Sequence, residues 1–538
     1  MKLCYKNLIA LTLVAAFLLC LGCGVAPSAD TDNIEPAATD VPSNEDADET
    51  ASFELPVNVI DDKYRNWYEI FVYSFADSDD DDRIGDFVGA TEKLPYLAEL
   101  GVNGIWLMPI MPSPSYHKYD TTDYCDIDPQ YGTMDDFKVF LMTAHELGIE
   151  VIIDLVVNHT SNEHPWFQSA RNDVNSPYRD WYNFSDTQSA GYNGSEGNYY
   201  ESRFVASMPD LNLDNAEVRA EIADIMEFWL CDIGVDGFRL DAVTSYYTGF
   251  ASQNVAFLTW LNDTAKELAP DCFIVGECWE DMYEIEAYYK SGIDSFFLFP
   301  TAQNSGYIAK ILGSDVEKKG ESFGNVVTLL NEHFSDKIMA PFLGNHDTVR
   351  IANYLGYNNP TNIKMAFGLL AMLNGSIFIY YGDEIGMVGI GNDPNKRVGM
   401  YWDSKVTITS APPGATAADY PFGSVESQEA DANSILSYYK QALALRNAYP
   451  SIARGTPEVI GQDDVNVCVI RKTYGDETIL IVINLNIDST SIALDKEVYE
   501  VLSFGGELTV WGNSVFSESD AFYTLSIPAY SIAILTCG

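Results

Sequence analysis

Basic residues are scarce in this chain: 30 Lys and Arg stand against 79 Asp and Glu in 538 residues, a formal net charge of −49. Phosphate recognition needs clustered Lys and Arg, so the composition argues against nucleic acid or anionic lipid as a partner, while a neutral sugar is indifferent to the charge. Outside the N-terminal leader, where Cys20 and Cys23 stand three apart, cysteines at metal-binding spacing are also missing: no CxxC occurs among the other six, which argues against a zinc site. Cys4, Cys20 and Cys23 fall in the N-terminal leader, leaving Cys125, Cys231, Cys272, Cys278, Cys468 and Cys537. Cys272 and Cys278 bracket an apparent strand, CFIVGEC, whose extended length of roughly 20 Å forbids a bond between them. The six are expected to be mostly free and buried.

The N-terminal run MKLCYKNLIALTLVAAFLLCLGCG is short for a membrane span. Two lysines, an apolar stretch and then small residues form the layout of a secretory signal. Its end, Leu21-Gly22-Cys23, resembles a bacterial lipoprotein signal, although Cys20 stands where that signal usually has leucine. The resemblance implies a signal peptide over 1–23 and a lipid on Cys23. The protein is then exported, held on the outer face of the cell membrane only through the lipid, or secreted if the signal is an ordinary one. Residues 24–62 carry eleven acidic side chains and no Lys or Arg, with Pro27, Pro36, Pro42 and Pro56 scattered among them. Such a segment cannot bury enough to offset its ordering entropy, so an acidic disordered tether is expected.

Eight apolar runs follow between Tyr64 and Gly386: WYEIFVYSF, GIWLMPI, VIIDLVVNH, VDGFRLDAV, CFIVGEC, SFFLFP, IMAPFLGNH and SIFIYYGDE. Near-continuous apolar strands separated by helical periodicity indicate a parallel sheet covered on both faces, and eight of them indicate a (β/α)8 TIM barrel over 63–445. The long connection 160–212 after the third strand, rich in Asn, Ser, Tyr and Gly, reads as a small inserted domain. From 446 to 538 short alternating runs such as VNVCVIRKTY and TILIVINLN predict a C-terminal antiparallel β-sandwich.

A barrel of this kind builds its active site at the C-terminal strand ends. Polar residues interrupt the apolar runs there: Asp154, Asn158 and His159 on the third strand, Arg239 and Asp241 on the fourth, Glu277 on the fifth, and Asn345, His346 and Asp347 on the seventh. The side-chain period of two points Arg239 and Asp241 the same way. A guanidinium beside a carboxylate favours its ionised form, so Asp241 is expected to stay an anion and can act as a nucleophile. Glu277 lies in an apolar strand with no basic neighbour in sequence, so burial is expected to raise its pKa and make it a proton donor. Two carboxyl groups in opposed environments are what glycoside cleavage requires. Any one buried carboxylate is more often a structural ion pair; four strand ends carrying them in order make that explanation poor. Aromatic residues such as Trp106, Tyr119, Trp166, Trp181 and Trp279 are individually packing residues first, though some are natural sugar platforms.

Taken together, these segments resemble the α-amylase family of glycoside hydrolases from about Tyr64 to the end of the chain. DLVVNH, GFRLDAV, GECW and FLGNHD resemble that family's four conserved regions. The resemblance implies that Asp241 is the nucleophile, Glu277 the general acid and then base, and Asp347 the group that holds the distorted sugar, assisted by Arg239, His159 and His346. It also matches His117 and Tyr119, in YHKYDTTDY, to positions that bind or stack on the sugar. Asp154, Asn345 and Trp279 complete the expected substrate-binding set. MPDLN (208–212) resembles the signature of a group between oligo-1,6-glucosidases and neopullulanases. Ala242 resembles α-1,4-acting members, where α-1,6-acting ones tend to have valine.

Two departures qualify the comparison. Thr244-Ser245 stands where many endo-acting amylases have Lys-His, which removes a usual subsite contact and a usual calcium ligand. The loop ADSDDDDRIGDF resembles the family's calcium loop with one extra residue, so Ca2+ is expected among Asp77, Asp79, Asp81, Asp82 and Asp86. The expectation is thus a monomeric, exported α-amylase acting on starch, glycogen or maltooligosaccharides. Rivals are an α-glucosidase, cyclomaltodextrin hydrolase or 4-α-glucanotransferase of the same family, and a surface glucan-binding lipoprotein without catalysis.

Overall fold

In the computed structural model, residues 63–538 are described, apart from 80, 81, 196, 405–408 and 417. The expected signal peptide, Cys23, the tether and Asp81 lie outside the described residues.

Eight parallel strands form one sheet: Asn66–Ile70, Gly104–Leu107, Glu150–Leu155, Gly237–Leu240, Phe273–Gly276, Ser295–Phe297, Ile338–Ala340 and Ile377–Tyr380. Each pairs with the next in sequence, the first pairs with the eighth, and a parallel bridge between Phe342 and Phe378 closes the ring at the seventh. The strands are buried on both faces, which is why their sequences run apolar without alternation. Trp67 fills the interior, stacking on Phe273 at 5.1 Å and Phe378 at 5.8 Å. That packing needs glycine at 104, because a Cβ there would sit 2.5 Å from the Trp67 ring. Gly237 is required for a similar reason: its Cβ would meet the Phe273 carbonyl at 1.8 Å, so only glycine lets the fourth and fifth strands approach this closely.

The connection after the third strand holds helix Pro165–Asn172 and three short antiparallel strands with Asn198–Glu201 in the middle. Phe167, Tyr182, Phe184 and Tyr200 pack together as its aromatic core. The segment returns to its starting point through a His159–Asp210 bridge, which sets Met208 to Asn212 beside the end of the third strand.

The C-terminal strands form a five-stranded and a three-stranded antiparallel sheet, joined by a core that includes Val469, Leu480, Val482, Leu525 and Ile527. Helix Ile435–Ala448 runs across the expected boundary at 446, and the first strand of the β region starts at Thr456. Lys472, from strand Val467–Tyr474, is fully buried and donates to Met372 O at 2.8 Å, Asn374 Oδ1 at 2.7 Å and Ile452 O at 2.5 Å. Arg446 donates to Ala371 O and Leu373 O at 2.6 and 2.7 Å. Together they satisfy the carbonyls at the end of helix Pro360–Ala371. Cys272, Cys278 and Cys468 are free and buried as expected, whereas Cys125 is exposed and Cys537 half-buried. No helix among the described residues is long and apolar enough to cross a membrane.

Candidate active site

The strand ends meet around one guanidinium. Arg239 is fully buried; its Nη1 donates to Asp154 Oδ1 and Asp241 Oδ1, both at 2.8 Å, and to Tyr119 Oη at 3.3 Å. Its Nη2 lies 3.0 Å from Glu277 Oε2. Burial alone would lower the arginine's pKa, but Asp154, Tyr119, Glu277 and Asp241 outweigh it and hold the group above its ordinary value. Glu277 has no basic neighbour in sequence but has one in space. Arg239 reaches it from the neighbouring strand.

Glu277 is pushed up to about 7, chiefly by burial, with Asp241 and Asp347 adding to the rise and Arg239 opposing it. The Ala242 backbone N–H donates to its Oε2 at 2.9 Å. A carboxyl in this setting carries a proton near neutrality, as a general acid must. Asp241 is 8% exposed and faces an open cavity of about 330 Å3.

Asp347 shares that cavity wall. Burial would raise its pKa, but His346 and Arg397 hold the carboxyl well below the usual range. His346 Nε2 lies 3.1 Å from Oδ2 and Arg397 Nη2 2.9 Å from Oδ1. His346 itself is raised to about 10: burial opposes the charge, and Asp347 and Glu69 prevail. His159 is lowered by burial, and its Nε2 has no hydrogen-bond partner among the described residues. The residue as a whole lines the cavity, 2% exposed. His117, also on the wall, is lowered by burial, and its Nδ1 accepts from Tyr119 N at 3.2 Å.

Three expected sugar contacts sit elsewhere. Asp154 is fully buried; beyond Arg239 it accepts from Trp106 Nε1 and Tyr119 Oη, each at 3.2 Å, so it braces the wall from behind. Burial raises it to about 6 against the pull of Arg239. Asn345 Oδ1 accepts from the backbone N–H of Asp347 and Thr348, both at 3.1 Å, which shapes the turn carrying Asp347. Trp279 lies outside the cavity, 46% exposed and stacked on Phe299 at 4.5 Å.

Sequence reading missed five wall residues: Phe204, Val205 and Met208 from the inserted segment, and Asp393 and Arg397 from the connection after the eighth strand. Arg397 Nη2 also lies 2.8 Å from Asp393 Oδ2, so one arginine ties Asp393 to Asp347. The available signal was KRVGM (396–400), a basic pair in a chain poor in base.

The described members of the expected calcium set, Asp77, Asp79, Asp82 and Asp86, take part in hydrogen bonds within their own loop. Asp86 caps helix Phe87–Glu92, accepting from Gly89 N at 2.6 Å with one oxygen and from Ser78 with the other. Asp82 accepts from Ile84 N at 2.8 Å, and Asp79 N donates to Asp77 Oδ1 at 3.2 Å. Among the described residues no group of three or more His, Cys, Asp or Glu converges as a metal site.

Comparison with known proteins agrees with this geometry. The α-amylase catalytic-domain family model matches residues 69–455. Alpha-amylase 3 of Dictyoglomus thermophilum is 40% identical over 458 residues, covering 81% of this chain and 88% of that one. A cyclomaltodextrinase of Geobacillus thermopakistaniensis is 32% identical, covering 76% and 64%. Among solved structures, Eubacterium rectale Amy13B superposes with a TM-score of 0.84 at 42% identity, covering 90% of this chain and 97% of that one.

Proposed function

We propose, from the premise that the chain belongs to the α-amylase family of glycoside hydrolases, that it cleaves internal α-1,4 bonds of starch, glycogen or maltooligosaccharides with retention of configuration. The observation that carries this reading is the single guanidinium of Arg239 between two carboxyl groups of different character, one held protonated near neutrality and one open to the cavity. In the first step Glu277 gives its proton to the glycosidic oxygen as Asp241 attacks the anomeric carbon; the C–O bond breaks and a covalent glycosyl ester forms. In the second step Glu277, now a carboxylate, takes a proton from water, whose oxygen displaces Asp241. Asp347, with His346 and Arg397 behind it, binds sugar hydroxyls as an acceptor, and His159 and His117 line the same cavity.

The α-1,4 assignment is supported by Ala242 after the nucleophile and by the likeness to a protein named alpha-amylase; MPDLN supports the intermediary grouping. Asp241→Asn tests the chemistry: hydrolysis of maltooligosaccharides should vanish with the fold intact, and activity near wild type would refute the assignment. Products from starch, pullulan, isomaltose and cyclodextrin separate the rivals. Dominant cyclodextrin opening favours the reading suggested by the cyclomaltodextrinase relative, and dominant isomaltose cleavage rejects the linkage.

Export as a lipoprotein rests on the leader and Cys23. Labelling with a radioactive fatty acid should mark the wild type and not Cys23→Ala. Calcium enters only through the acidity of the 77–86 loop, and no catalytic step runs through it. Melting that falls with chelator and recovers with Ca2+ supports an ion there; unchanged melting removes it. A monomer is expected in light scattering.

A further inference from the structure

Glu69 lies near the end of the first barrel strand, 1% exposed, with Trp106 opposite on the second strand and Tyr380 on the eighth. A carboxyl buried this deeply is costly unless it is paired. Its partner is His346, which is fully buried: Glu69 Oε1 makes a short hydrogen bond to Nδ1. On the other side of the ring, Nε2 faces Asp347 Oδ2 at 3.1 Å and Tyr119 Oη at 2.8 Å. A neutral imidazole has a single N–H, so one of the two carboxyl groups would then face a lone pair. Two N–H donors satisfy both. Tyr119 fits this arrangement, because its hydroxyl can donate to Asp154 Oδ2 at 3.2 Å and leave its oxygen to accept from His346.

We propose that Glu69 is a positioning residue that holds His346 as a doubly protonated imidazolium, and that this cation fixes Asp347 as an anion in the orientation that grips the sugar. The proposal rests on the reading of Asp347 as a sugar-binding group. The other charged or titratable groups around the pair are consistent with it. Asp154 adds a second negative influence through Tyr119, and Tyr380 and Asp383 from the eighth-strand side stand behind Glu69. The opposing cations are Arg239, which contacts Tyr119, and Arg397, whose Nε donates to the His346 carbonyl at 3.3 Å rather than facing the ring. The two carboxyl groups touching the ring therefore dominate its charge, which agrees with the rise of His346 to about 10 despite burial. Glu69 has no role in the expected catalytic set and reaches the substrate only through His346 and Asp347.

The test is nitrogen NMR of histidine-labelled full-length protein, in which six histidines keep the spectrum tractable and His346→Gln assigns the peak. In the wild type both His346 nitrogens should stay protonated from about pH 6 to about pH 9, well past the ordinary histidine range. In Glu69→Gln the ring should titrate inside that window, kcat on a maltooligosaccharide should fall by about tenfold, as when an outer-shell partner is lost, and Glu69→Asp should recover part of it. A wild-type ring that loses a proton at about pH 8 overturns the proposal without recourse to any variant. A Glu69→Gln protein whose ring titrates while kcat and KM stay unchanged overturns the positioning role. Asp241→Asn should keep the wild-type His346 signals, so a wrong assignment of the hydrolytic chemistry and a wrong account of Glu69 give different results.

Discussion

The backbone N–H of Ala242 donates to Glu277 Oε2 at 2.9 Å, and Ala242 holds a left-handed φ of 47° to do so. The residue after the proposed nucleophile therefore also steadies the proposed acid. Its small, unbranched side chain keeps the cost of that conformation low. A β-branched residue at positive φ is a steric outlier, costing on the order of 1–3 kcal/mol.

Ala242→Val should thus lower the melting temperature and kcat together, while Ala242→Gly, free of the Cβ clash, should stay near wild type in stability. Calorimetry and maltooligosaccharide kinetics on the two variants check this. Equal stability of valine and glycine variants would contradict it.

The proton on Glu277 sets the alkaline side of the activity profile. Because burial raises the group to about 7, kcat/KM should decline as pH rises through about 7, when the acid loses its proton before it can donate it. The stability effect has the same direction: the folded value lies above the ordinary 4.5, so its contribution is fully present below about 4.5 and is lost as pH rises through about 7. Glu277→Gln removes that loss. Melting temperatures of wild type and variant should separate between about pH 4.5 and about pH 7 and run parallel above that, with the variant less pH-dependent in the window.

Arg397 grips Asp347 and Asp393 with one nitrogen, at 2.9 and 2.8 Å. Arg397→Lys keeps the charge but loses the planar fork, so Asp347 should retain its ionisation and lose its orientation. The expected outcome is a larger fall in kcat/KM than in thermal stability. Arg397→Ala should add a stability loss of at most about 2 kcal/mol, since the Asp347 side chain is 33% exposed and water screens what remains.

Phe204 stands edge-on to His159 with ring centroids 5.5 Å apart and is 46% exposed at the cavity wall. Phe204→Ala should raise KM for oligosaccharides several-fold and leave kcat nearly unchanged, because the ring contributes binding equally in ground and transition states. Steady-state kinetics over a series of chain lengths reads the split.

Much of this site was legible from periodicity. Arg239 and Asp241 share a face because a strand alternates, and the buried strands announced themselves by unbroken apolar runs. What periodicity cannot convey is the distance between strands: Arg239 touches Glu277 across the sheet, though nothing basic stands near Glu277 in the chain. Asp154 has the right identity and position for a ligand contact, yet its depth makes it a brace, and depth is a tertiary property. Arg397 and Asp393 lie in a connection without helical or strand rhythm, so only the closing of the barrel brings them to Asp347. Helix Ile435–Ala448 crosses the expected boundary near 446, while the alternating strands begin only at Thr456, so the end of that helix is not marked by the change of sequence rhythm.

The burial of Lys472 has a consequence for how the molecule comes apart. Its ammonium, fully enclosed and lowered well below the ordinary lysine range by burial, bonds two backbone carbonyls and one side-chain amide oxygen outside its own sheet. Pulling the β region away would break all three bonds at once and expose the apolar surface packed around them to water. The chain from the first barrel strand to the last β strand should accordingly melt in a single calorimetric transition, and a shortened form ending near 455 should aggregate rather than persist as an independent barrel.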